Sequence, residues 1–162
     1  MTKLGALFFL AVAIVFAMQT AGKGFAQDDA EVNEVYVPML GDSMLSIQMR
    51  HIKLWLAGSA KNWQLAGYEL GEIEEVFEDA ARFNHVFKGM PVADMIKKIK
   101  ARPLKDLGAA IEAKDASRFD AAFDGLTAAC NECHRSAGHG FIMIKRPKTS
   151  PFSDQVFSVK SR

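Results

Sequence analysis

Cysteine is scarce in this chain of 162 residues: there are two, which excludes a scaffold built from disulfides. Proline is scarce too, at five, and the 12 glycines follow no period, so collagen-like and proline-rich disordered chains are excluded. Neither sign of charge dominates, with 20 Lys and Arg against 19 Asp and Glu, and the basic excess of a nucleic-acid binder is missing. There is no internal repeat, no glycine-rich phosphate loop, and no Ser, His and Asp order with supporting context. No apolar run reaches the roughly 20 residues that span a bilayer. What remains is a chain of about one domain whose 49% hydrophobic content is enough to build a core.

Both cysteines fall in one motif, Cys130-Asn131-Glu132-Cys133-His134, the Cys-x-x-Cys-His pattern that attaches a c-type haem. Two thiols three residues apart on a helical turn can add across the two vinyl groups of one haem, and the adjacent histidine meets the iron from the proximal side. Two other uses of such a pair are a thioredoxin-like redox site, which needs a βαβ context, and a zinc site, which needs a fourth ligand. Neither context is present in the sequence.

The N-terminus reads as an export signal. Lys3 supplies a positive start, Leu4 to Met18 is an apolar run of 15 residues, and Gly24-Phe25-Ala26 offers small residues for cleavage after Ala26. An uncleaved anchor is the alternative, but the run is short for it. Removing residues 1–26 takes away Lys3 and Lys23 and no acid, leaving 18 basic residues against 19 acidic ones. No stable membrane span is expected after cleavage. The charges are segregated: Glu69, Glu72, Glu74, Glu75, Glu78 and Asp79 lie together, and Lys97, Lys98, Lys100, Arg102 and Lys105 form a basic run. Two solvated helix faces account for this, as would docking patches for a redox partner.

Residues 27–40 read as a loose lead-in carrying Pro38. Gly41-Asp42-Ser43 offers N-cap chemistry for a first helix over about 42–57, with Met44, Ile47, His51, Leu54 and Gly58 on one stripe and Leu45, Met49, Ile52 and Leu56 beside it. Apolar round much of its circumference, this helix is expected to be well buried. Asn62 can cap a second helix over about 63–83, whose Trp63, Ala66, Leu70, Ile73, Phe77 and Ala80 recur at helical spacing. Trp55 and Trp63 flank the turn between them, as core residues or as haem contacts. A third helix carries two stripes, Val92, Met95, Ile96 and Ile99, then Leu104, Leu107 and Ile111, divided by Pro103, where a kink or short break is expected. A fourth begins near Asp115 to Ser117 and puts Phe119, Phe123, Leu126, Cys130 and Cys133 on one stripe, so the motif faces the interior. Beyond Gly138, Phe141-Ile142-Met143-Ile144 is followed by Pro147 and Pro151, which predicts an extended tail over 139–162 laid back over the bundle, with the haem edge within its reach.

Four helices over residues 41–138 with the attachment motif on the last resemble the class II c-type cytochromes, the cytochrome c prime group. The fold class that follows is all-α, an up-down four-helix bundle with a C-terminal extended tail; chains of that group usually stop soon after the motif, and this one does not. The resemblance implies one covalently attached haem c, with Cys130 and Cys133 as thioether positions and His134 as the proximal iron ligand. It also implies export, because haem is attached to this motif beyond the inner membrane, so the expected location is the periplasm. The function expected is that of an electron carrier with redox proteins as partners; the alternative is a gas-binding or sensing cytochrome with an open distal site. No enzymatic activity is expected, since no distal acid-base pair is evident, and homodimer formation is left open.

The carrier needs a sixth ligand. In an antiparallel pair the start of helix one lies beside the end of helix four, where the candidates are Met44 and, seven residues on, His51. About 10 Å of helical rise separates them, and the level of His134 favours Met44 as the distal ligand, with His51 as runner-up. His51 also reads as a satisfied core histidine. His139 should lie near the haem without reaching the same iron, and His85 has no assigned role.

Overall fold

The computed structural model describes residues 36–159; the expected signal segment 1–26 and most of the lead-in lie outside the described residues. The described chain is all-α: helices occupy Leu40–Ser59 (α1), Trp63–Phe83 (α2), Val92–Ile99 (α3), Lys105–Glu112 (α4) and Ala116–Ser136 (α5), and a π-helical turn, Lys100–Leu104, joins α3 to α4. Among the described residues there is no strand, and no helix is long and apolar enough to cross a membrane.

The start of α1 departs from expectation. It begins at Leu40, with Met39 as N-cap and no side-chain cap, so Asp42 sits inside the first turn, where its charge meets the positive end of the helix dipole. The buried stripe is Ser43, Ile47, His51, Leu54, Ala57 and Gly58. The neighbouring stripe is not buried as expected: Leu45 is 61% exposed and Met49 45%. Among the described residues α1 has helical partners on one side only, and it buries one face against them.

Helix α2 begins where Asn62 caps it, its side-chain oxygen accepting from the Leu65 N–H at 3.2 Å. Its buried face contains one surprise. Glu69, expected among solvated acids, is 1% exposed and paired with Arg50 of α1 at 3.2 Å, which also reaches Glu72 at 2.7 Å. Between α2 and α3 the chain reverses through Lys88 and Gly89, both with positive φ, closed by the antiparallel bridge of Phe87 and Met90.

Pro103 does not break the third helical stretch. It sits inside the π-helical turn, which dispenses with a regular hydrogen bond at the residue that lacks an N–H. The turn also corrects a phase error: Ile99 and Leu104, both buried, are five residues apart where an α-helix would put the next buried position at three or four. One extra residue in the turn keeps both stripes on the core side.

Helix α1 packs mainly on α2, while α5 packs on α4 and the π-turn. Between α1 and α5 the pairings run in opposite directions along the two helices: Trp55 meets Phe119 and Phe123, and His51 meets Thr127. Those two helices approach each other sparingly. Aromatic rings fill one end of the gap between them, and a cavity occupies the other.

Candidate functional site

The site is built on the last turns of α5. Its buried residues Phe119, Phe123 and Leu126 lead at spacings of three and four to half-buried Cys130 and Cys133. Both cysteines and His134 line a cavity of about 410 Å³. Its other walls are mostly apolar: Met44, Ile47 and His51 from α1, Ile96 and Ile99 from α3, and Phe87 from the turn. Ile142 and Ile144 from the chain beyond α5 complete it. Trp55 and Trp63 do not line it. They surround Phe119 with ring centroids 6.2 and 5.9 Å away, which places them in the core.

The chain turns back directly after the motif. Gly138 takes φ +72°, and the N–H groups of Gly138 and His139 donate to the Arg135 and His134 carbonyls at 3.0 and 2.8 Å, a Schellman ending. Glycine is the residue that adopts this backbone without strain. The returning segment meets α5 three times. The His134 ring bonds through Nδ1 to the Ile142 carbonyl at 2.9 Å. Asn131 donates its side-chain N–H to the Ile144 carbonyl at 2.9 Å and accepts the Ile144 N–H at 2.7 Å. Arg146 donates from Nε and Nη2 to the two carboxylate oxygens of Asp124 at 2.6 and 2.8 Å, and from Nη2 to the Asp120 carbonyl at 2.7 Å. Its guanidinium also lies 4.3 Å from the Trp55 ring centroid.

The first of these bonds fixes the chemistry of His134. A carbonyl oxygen only accepts, so Nδ1 carries the proton and Nε2 keeps its lone pair. A histidine held in this way through its other ring nitrogen is what metal ligation requires.

Met44, the expected distal residue, is half-buried and lines the same cavity from α1. His51 lines it as well but is engaged on its far side. Its Nε2 lies 2.9 Å from the Thr127 hydroxyl, which donates to the Phe123 carbonyl at 2.9 Å, so the hydroxyl accepts from the His51 Nε2–H. The ring stacks on Phe123 at 4.3 Å, and burial lowers the His51 pKa to about 4. His51 is thus a hydrogen-bonded core histidine whose ring also borders the cavity. His139 also reaches the cavity wall, beside Phe87 and Phe141, and His85 is exposed.

Burial pushes the Cys130 thiol up to about 12, with Cys133 beside it adding to the effect, and burial also raises Cys133. Dithiol redox sites work through the opposite shift, at the positive end of a helix; these cysteines sit at the negative end of α5. Among the described residues, no three or more His, Cys, Asp or Glu side chains converge as a cage for an ion. A paired thiol edge, one imidazole with a free Nε2, and apolar walls are a donor set that suits haem c.

Neither the scan against family models nor the searches of curated proteins and of solved structures finds a match to this chain.

Sequence reasoning missed four participants: Thr127, the Ile142 carbonyl, Asn131 and Arg146. Asn131 was in view as a variable position of the motif. The one local signal for Ile142 and Arg146 is the even spacing of residues 142, 144 and 146, which share a side in an extended chain; Thr127 has none.

Proposed function

We propose that this protein is an exported monohaem c-type cytochrome that carries electrons in the periplasm. The observation that carries the reading is the His134 ring, bonded through Nδ1 to the Ile142 carbonyl on the wall of a cavity that both motif cysteines also line. The fold we infer is an up-down four-helix bundle, counting α3, the π-turn and α4 as one member, with an extended C-terminal tail. The export signal in residues 1–26 and the attachment motif support the location.

Cys130 and Cys133 would hold one haem c through thioethers, with His134 as the proximal ligand through Nε2. Bound there, the haem iron supplies a one-electron couple whose potential depends on axial ligands and burial. Ile142 keeps the proton on His134 Nδ1. The aliphatic side chains of α1, α3 and the returning segment exclude water, which reduces the reorganisation that accompanies a change of charge. Met44 would complete the coordination from α1, and His51, whose Nε2 is bonded to Thr127, would be the alternative donor through Nδ1. The partners are redox proteins, and the charged faces of α2 and α3 are the surfaces available to steer them.

The visible spectrum of the haem-loaded protein tests this reading. Methionine ligation gives a weak band at the red end of the oxidised spectrum, which should vanish in Met44→Ala with a fall in potential. If Met44→Ala keeps the wild-type spectrum and His51→Ala turns high-spin, His51 is the ligand. A wild type that is already high-spin and binds carbon monoxide readily overturns the carrier in favour of the gas-binding alternative.

A further inference from the structure

We propose that Asn131 and Arg146 are positioning residues for His134, acting through the segment that joins them to it. The proposal rests on the cytochrome reading for its purpose and on the contacts of residues 138–146 for its substance. In an extended chain the N–H and C=O of one residue point to the same side, and residues two apart share that side. Ile142 and Ile144 are such a pair and meet α5 with their backbone groups, at His134 and Asn131, and two residues on Arg146 meets it with its side chain, at Asp124 and Asp120. The intervening residues turn outward, with Met143 63% exposed and Lys145 exposed as well, while Ile142, nearest the turn, is 41% exposed. The segment is thus a strap laid antiparallel on α5, pinned at three stations.

The stations differ in strength. At His134 a single hydrogen bond joins an imidazole to a carbonyl. At Asn131 the side-chain amide imitates a neighbouring strand, giving and receiving one bond each with Ile144. At Arg146 a two-pronged, charge-assisted pair is joined by a backbone acceptor and an aromatic face, the geometry for which arginine is suited and lysine is not. The weak station is the one that sets the histidine's tautomer, and the strong ones lie beyond it. Neither Asn131 nor Arg146 lines the cavity. Their role is to hold the Ile142 carbonyl in place, so that His134 keeps Nδ1 protonated and its ring orientation fixed. Gly140 and Phe141 are spanned by a single turn bond, from the Ile142 N–H to the His139 carbonyl at 2.8 Å, so without the far stations the Ile142 carbonyl would depend on that turn alone.

The experiment reads the His134 Nδ1–H directly. In the ferrous carbonyl form, which is diamagnetic whatever the resting distal group, that proton can be followed by ¹H–¹⁵N NMR. Wild type should protect it from solvent exchange. Arg146→Ala and Asn131→Ala should each speed exchange about tenfold or more, as loss of charge-assisted or paired hydrogen bonds implies, with covalent haem retained on denaturing gels. Arg146→Lys should recover part of the protection. Asp124→Asn, a surface change that leaves the core untouched, should show the same direction of effect as Arg146→Ala. Unchanged protection in Asp124→Asn, Arg146→Ala and Asn131→Ala overturns the proposal. A wild type that takes no haem stain defeats the cytochrome reading instead; the strap is then judged on the same ring in the chain as purified, at a pH where it is neutral. Nδ1 protonation in wild type with a shift to Nε2 in Arg146→Ala upholds it, and the same tautomer in both overturns it.

Discussion

The two ends of the space between α1 and α5 solve the same problem in opposite ways. At the α1–α2 turn the gap is closed by rings: Trp55, Phe119, Phe123 and Trp63 interlock with centroids 4.9 to 6.2 Å apart. Gly58 is part of that closure, since a Cβ there would stand 2.1 Å from the Phe119 ring. At the α5 terminus aliphatic side chains and sulfur line a cavity of about 410 Å³ instead. One end is complete without help and should carry the fold. The other leaves a cavity, which the proposed reading fills with haem.

If a haem fills that cavity as proposed, preventing its attachment is the strongest way to test the division. Cys130→Ala with Cys133→Ala should abolish covalent haem on a denaturing gel and lower the thermal midpoint by on the order of 10 °C or more, because a native-state ligand and much packing are lost together. The aromatic end should stay ordered, with a tryptophan emission maximum near that of wild type below the midpoint, while the intensity rises because haem no longer quenches it. Equal midpoints for the two forms would mean that the cavity end stands alone.

The converse change is Phe119→Ala, which opens a hole at the filled end. Phe119 is fully buried, and its loss should cost about 3–5 kcal/mol in urea unfolding, while the spectrum of attached haem stays as it is. Met44→Ala should do the reverse, changing the spectrum at a cost near about 1 kcal/mol. A comparable energetic cost for both would erase the contrast between the ends.

Arg50→Ala probes the seam between α1 and α2. It strips the partner from a carboxylate that is 1% exposed, and the expected cost is about 3 kcal/mol. Glu69→Gln should cost less, since it removes the buried charge itself.

His51 stands on the border, stacked on Phe123 and facing the cavity, and it gives the contrast a pH dependence. Its folded pKa of about 4 lies below the ordinary 6.5, so between those values the unfolded chain binds more protons than the folded one. Stability should therefore be full above about pH 6.5 and decline as pH falls toward 4, by up to about 3 kcal/mol. Urea midpoints of wild type and His51→Phe across this range check it: the variant should lack this component of the decline.

The sequence made some parts of this structure plain because their causes are local. Asn62 and Asp115 cap α2 and α5 through their own side chains, so both starts could be read from neighbouring residues. The stripe that carries the cysteines inward was equally legible, since it needs only helical periodicity. The exposed flank of α1 was not: Leu45 and Met49 look buried until it is known that none of the described helices covers that side. Glu69 was misjudged for the same reason, because its partner Arg50 is 19 residues away. The strap shows the limit best. Asn131 meets Ile144 across 13 residues and Arg146 meets Asp124 across 22, and neither pairing leaves a local pattern.

The π-helical turn at Pro103 bears on how this chain can change in length. Residues Val92, Ile96 and Ile99 keep one count and Leu104, Leu107 and Ile111 another, displaced by a single position, and the turn is where the counts are reconciled. Insertions and deletions are normally confined to loops, since losing one residue from a helix rotates everything after it by about 100°. Here the helix already contains a surplus residue. Excising Pro103 would set Ile99 and Leu104 four apart, remove the one residue without an N–H, and leave an unbroken α-helix with a continuous buried face. A deletion that would be ruinous anywhere in α2 should be accepted at this position.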